Sequence, residues 1–184
     1  MGKRSSFDRI PRDAYDTPLE AVLPIIPQLP DSFWAWEPCA GRGQLIEHIM
    51  DNHDGAILCG SDIEPRAAWV FQRDALEVEN SKADLIITNP PWDRKVLHPM
   101  IEHFSAMCPT WLLFDADWVH TKQSAPYIKW LRKIVSVGRV KWIPDSPYTG
   151  KDNCCWYLFD QKDTGPTEFV GRSIPTPAHT GGTA

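Results

Sequence analysis

Usable cysteine patterning is the first thing this sequence lacks. Cys39, Cys59, Cys108, Cys154 and Cys155 make an odd set of five, and no pair stands as Cys-x-x-Cys. Neither a disulfide framework nor a zinc site is indicated, so the chain reads as one from a reducing cytoplasm. No apolar run approaches the ~20 residues of a membrane span, and the N-terminal stretch carries no apolar signal core. There is no internal repeat. Asp115 and Asp117 stand two apart, but no His/Cys cluster joins them; they read as solvated strand-end acids, and no metal site is expected.

What is present in quantity is tryptophan, with 9, and proline, with 17, in 184 residues. That length points to a single domain with a sizeable core. The formal net charge of −5 is unevenly spread. Residues 1–119 sum to −9, 120–151 to +6 and 152–184 to −2. The basic stretch contains Lys129, Arg132 and Lys133 on a helical pattern over 124–134, and Lys151 in the following loop. It is a candidate phosphate-contacting face, and equally a solvated helix face.

The pattern of elements is strand and helix in alternation. Apolar strands are expected at 33–37, 56–60, 83–88 and 110–114, then a pair at 134–143 and 154–159. Helices are expected after the first glycines, over 96–107 and over 124–134. This alternation predicts an α/β, Rossmann-like sheet, mostly parallel with one antiparallel strand and helices on both faces. Residues 1–13 are expected to be a flexible arm, 14–162 the folded domain and 163–184 a disordered tail.

Two stretches carry the chemistry. Trp36-Glu37-Pro38-Cys39-Ala40-Gly41-Arg42-Gly43 is a strand ending in an acid and a Gly-x-Gly turn. Glycine there lets the chain turn tightly and a ligand approach the backbone. Further on, Ile87-Thr88-Asn89-Pro90-Pro91-Trp92 ends an apolar run. The Asn89 side-chain oxygen and the Pro90 carbonyl are fixed acceptors beside a flat ring, suited to a planar group bearing an –NH2. Asp62 closes the second strand about 20 residues beyond the glycines, where nucleotide-binding folds hold ribose hydroxyls, with Glu64 as its rival. Thr17 reads as a helix N-cap with Pro18 at the first helical position.

Together the two stretches resemble class I S-adenosylmethionine (SAM)-dependent methyltransferases that act on amines. The nearer resemblance is to DNA adenine-N6 methyltransferases, including small phage-borne ones, over about residues 14–160. The resemblance implies SAM as cofactor and a bacterial or phage-infected cytoplasm. It implies that Tyr15, Thr17 and Pro18 contact the methionine end, with Glu37, Cys39, Gly41 and Gly43 around it. Asp62 and Ile63 would serve the ribose, and Asp74 and Ala75 the adenine. Asn89, Pro90, Pro91 and Trp92 would form the catalytic turn, with Trp92 stacking on the substrate base and Tyr148 on its other face; Trp142 and Trp156 rival Tyr148.

Unlike sequence-specific DNA methyltransferases, the chain has no separate target-recognition region. Recognition is therefore relaxed, short, or supplied by a partner protein. RNA bases and a protein glutamine amide remain open as substrates. So does a SAM-binding regulatory or anti-restriction protein without activity. Oligomeric state is not legible.

Overall fold

A computed structural model describes residues 15–143 and 150–172. The arm at 1–13 and Tyr148 lie outside these described residues. Among the described residues, eight strands form one sheet: β1 (Phe33–Glu37), β2 (Ala56–Asp62), β3 (Phe71–Gln72), β4 (Leu85–Thr88), β5 (Thr110–Asp115), β6 (Leu131–Arg139), β7 (Asn153–Phe159) and β8 (Glu168–Val170). Their order is β3-β2-β1-β4-β5-β7-β6-β8. Only β7 runs antiparallel to its neighbours, so the expected mostly parallel sheet with one antiparallel strand is what the chain forms.

The central strands are buried on both faces, which is why they read as continuous apolar runs. Period-two alternation then sorts their side chains. Ala35, Ile87, Trp111, Leu113 and Trp156 pack on one face with α1 (Leu19–Val22) and α2 (Gln44–Asn52). Trp36, Ile86, Leu112, Phe114 and Tyr157 pack on the other with α3 (Arg94–Met107). Much of the tryptophan is spent here, where an indole N–H needs an acceptor. Trp156 Nε1 donates to the Ala21 carbonyl at 2.8 Å, tying α1 to β7, and Trp36 Nε1 donates to Ser61 Oγ at 2.9 Å.

Three expectations are corrected. The helix over 124–134 is one turn, α4 (Ala125–Ile128), and Leu131–Arg139 is strand β6. Tyr127, Leu131 and Ile134 have helical spacing, but pairing of β6 with both β7 and β8 outweighs that local preference. The tail expected from 163 is not wholly without structure, because Glu168–Val170 pairs in parallel with β6. Residues 63–70 form bends and turns into β3. Thr17 does not cap α1, whose N-cap is Pro18 with no side-chain cap.

No helix among the described residues is long and apolar enough to cross a membrane.

Candidate active site

The carboxyl ends of β1, β2 and β4 open onto one cavity of about 900 Å³. Parallel strands bring their loop-bearing ends to the same rim, so residues far apart in sequence meet there. Of the residues anticipated from sequence, Tyr15, Thr17, Glu37, Cys39, Gly41 and Asp62 line it, as do Ile63, Asp74, Ala75, Asn89 and Pro91. Pro18, Gly43, Pro90 and Trp92 do not line it.

The turn after β1 has its shape because of two glycines. Gly41 and Gly43 adopt φ +55° and +87°, and Gly43 is the N-cap of α2. A Cβ at Gly43 would sit 2.0 Å from the Trp69 ring, so that ring lies directly against the turn. Asp62 fixes the same turn from β2. Its Oδ2 accepts from Gly41 N at 2.8 Å and its Oδ1 from Glu64 N at 2.8 Å. Each carboxylate oxygen keeps a lone pair for a ligand hydroxyl. Asp74 Oδ1 accepts from Leu76 N at 3.0 Å, capping a short 3-10 turn that carries Ala75 and Leu76 to the cavity wall.

Glu37 is the electrostatic outlier. Its side chain is 2% exposed, and Oε2 has no hydrogen-bond partner. Burial, then the Asp62 charge, holds its carboxyl well above the usual carboxylate range. An unpaired buried acid oxygen at a cavity wall is costly unless a ligand meets it. Cys39, beside it, has its thiol pushed up by burial, which disfavours the thiolate.

Asn89 stands where β4 ends. Its Nδ2 donates to Thr17 Oγ1 at 3.2 Å, and its Oδ1 accepts from Trp92 Nε1 at 3.4 Å. The same indole N–H also reaches the Leu113 carbonyl at 3.2 Å. Trp92 meets Trp142 edge-on, with ring centroids 5.8 Å apart.

Sequence reading missed the residues that fasten the mouth. Arg66 Nη2 donates to Asp16 Oδ1 at 2.5 Å, and Arg42 Nε lies 3.9 Å from Asp16 Oδ2. Asp16, Arg66, Gln44 and Leu76 all line the cavity. Only the position of Asp16 between Tyr15 and Thr17 hinted at this.

Two of the four residues of the basic stretch are engaged within the fold. Arg132 donates through Nε to the Asp163 carbonyl at 2.9 Å and through Nη1 to the Gly165 carbonyl at 3.2 Å. Lys133 Nζ pairs with Glu168 at 3.1 Å, and Lys129 Nζ lies 4.6 Å from the centre of the Trp130 ring. Lys151 alone of the four is exposed with no such engagement described. No group of three or more candidate metal ligands exists among the described residues, Asp115 and Asp117 included.

No protein-family model and no curated protein sequence matches the chain. Solved structures do match in fold. A dimethyladenosine transferase from Plasmodium falciparum aligns at 15% identity and TM-score 0.53, over 80% of this chain and 63% of that one. A protein assigned as a modification subunit of a type I restriction enzyme from Vibrio vulnificus aligns at 13% and 0.55, over 89% and 48%. A protein assigned as an RNA methyltransferase from Pyrococcus horikoshii aligns at 15% and 0.57, over 86% and 92%. The chain thus spans about half to two-thirds of the first two and nearly all of the third. Strand order, the single antiparallel strand and these likenesses together place the chain in the Rossmann-like fold of the methyltransferases.

Proposed function

We propose that this protein is a SAM-dependent methyltransferase acting on a planar exocyclic amine, with adenine N6 in DNA the foremost substrate. The observation that supports it best is the meeting, in one cavity, of the glycine turn, Glu37, Asp62 and Asp74 with the Asn89 amide.

The residues present fit that cofactor. The unpaired, buried Glu37 oxygen suits a cationic amino-acid end, and the glycine turn brings bare backbone to the cavity. Asp62 suits ribose hydroxyls. Asp74 suits an aminopurine edge, with Ile63, Ala75 and Leu76 as apolar wall. Bound SAM supplies an activated methyl group on a sulfonium.

The protein's own contribution is positioning and electrostatics. The lone pair of adenine N6 is delocalised into its ring and is a poor nucleophile. Acceptors at Asn89 Oδ1 and the Pro90 carbonyl draw the two N–H bonds toward themselves. That concentrates electron density on nitrogen and aims it, without a covalent intermediate. The nitrogen gains a methyl and its proton leaves to solvent. A base in a duplex must first leave the stack. Support for a nucleic-acid substrate comes from the Asn-Pro-Pro-Trp turn and not from a basic face, since Arg132 and Lys133 are engaged within the fold.

The test is transfer of labelled methyl from SAM to a panel of DNA, RNA and protein, followed by nucleoside and amino-acid analysis. Methyladenosine in DNA is the expected product. Asn89→Ala should keep SAM affinity by calorimetry and lose on the order of a hundredfold in turnover, the usual cost of one preorganised contact. Full transfer by Asn89→Ala would show the turn to be structural only.

A further inference from the structure

An asparagine amide has two ends of nearly the same shape and opposite chemistry. One accepts and the other donates. If the wrong end of Asn89 faced an incoming amine, donor would meet donor and the amine would be repelled. Something must therefore choose the end.

One contact makes that choice, and a second holds the result. The indole N–H of Trp92 can only donate, so the Asn89 atom facing it must be the oxygen. The same N–H is shared with the Leu113 carbonyl at 3.2 Å. The opposite end of the amide then falls against Thr17 Oγ1, which accepts from Nδ2. Thr17 is 4% exposed, so water does not compete freely for that hydroxyl. We infer that Thr17 and Trp92 are positioning residues that fix the Asn89 amide with Oδ1 as the acceptor, leaving its second lone pair for the amine.

The consequence reaches further, because Thr17 is not on the same element as Asn89. It belongs to the segment before α1, whose neighbouring Asp16 is fastened to Arg66 and Arg42. The cofactor side and the amine side of the cavity are thereby joined through one hydroxyl. Position 92 acquires a specific demand as well: the side chain must carry an N–H at the ring edge, not only a flat face. This inference rests on the methyltransferase reading for its kinetic meaning, while the hydrogen bonds themselves do not.

The experiment uses the full chain with Thr17→Val, Thr17→Ser and Trp92→Phe, each alone and combined with Asn89→Asp. Thr17→Val and Trp92→Phe should lower kcat by about tenfold or more with KM changed by less than about twofold, the pattern of a loss confined to the transition state. Thr17→Ser, which keeps the hydroxyl, should recover most of the rate. A carboxylate has two accepting oxygens and no end to choose. In the Asn89→Asp background, therefore, the added losses should shrink to within about threefold, which a double-mutant cycle reads directly.

Unchanged kcat, no rescue by serine, or equal losses in both backgrounds would overturn the inference. Absence of methyl transfer by the wild type, or an inactive Asn89→Asp, moves the decision to NMR of the free protein. There the Trp92 indole resonance must shift in Asn89→Ala, and the Asn89 side-chain amide must shift in Thr17→Val. Unmoved resonances overturn the positioning role. Shifted resonances with an inactive wild type retain the amide lock and overturn only the methyltransferase reading.

Discussion

Asp16 accepts a 2.5 Å hydrogen bond from Arg66, joining the segment before α1 to the loop after β2 across 50 residues of sequence. Both side chains are about one-third exposed, so the pair is partly screened. Asp16→Asn should raise the Kd for SAM about fivefold, in line with the ~1 kcal/mol at the upper end for such a pair. The difference should narrow as salt is raised. Titration calorimetry at two ionic strengths checks both statements.

Glu37 should trade stability for binding. Its folded-state pKa is raised, mainly by burial, so the native state holds a proton that the unfolded chain gives up near pH 4.5. The sign follows: stability is lost as pH rises from that value toward the folded pKa. Glu37→Gln removes the ionisable group. It should melt several degrees above wild type at neutral pH, by about 1–3 kcal/mol, with little gain at about pH 4. The same variant should bind SAM more weakly. Scanning calorimetry across pH, with and without ligand, reads both.

His98 behaves in the opposite sense. Trp118 Nε1 donates to His98 Nε2 at 3.0 Å, a bond that only neutral imidazole can accept. Burial, then the Arg94 charge, lowers its pKa from 6.5. The contribution is full above about 6.5 and is lost as pH falls through the lower folded value. His98→Leu should flatten the fall in melting temperature between neutral and mildly acidic pH. An unchanged slope would move the acid sensitivity elsewhere.

Arg132 is expected to matter for stability and not for nucleic-acid affinity. Its guanidinium holds the carbonyls of Asp163 and Gly165, the turn that leads into β8. Arg132→Ala should cost about 2–3 kcal/mol, the scale of hydrogen bonds to a charged group. It should also speed amide exchange in Glu168–Val170. The salt slope of nucleic-acid binding should stay as in wild type, whereas a lost phosphate contact would lower it by about one unit.

The rim was legible where a single strand and its turn carry the signal. Glu37, Asp62 and Asn89 each follow an apolar run, and the alternation of elements puts such ends side by side. What stayed hidden depends on contacts across the sheet. Arg66, which holds Asp16, and the ring over Gly43 come from the irregular segment 63–70, whose composition resembles a helix start. Between 124 and 134 the apolar spacing fits a helix, yet β7 and β8 claim the residues from 131 onward. Counting charges could not show that Arg132 and Lys133 are already engaged by the chain's own carbonyls and carboxylates.

The place of β7 sets the order in which the molecule can be completed. It lies between β5 and β6 although it follows both in sequence. Trp156, Tyr157 and Phe159 have no exposed surface in the finished fold. During synthesis, then, β6 emerges with no neighbour to pair with, and β5 waits with an open apolar edge. A chain interrupted before residue 153 presents both as unpaired edges, the state most prone to join other chains. Joining of β6 and β8 to the rest of the sheet therefore waits until β7 has been made, because β7 alone links them to β5.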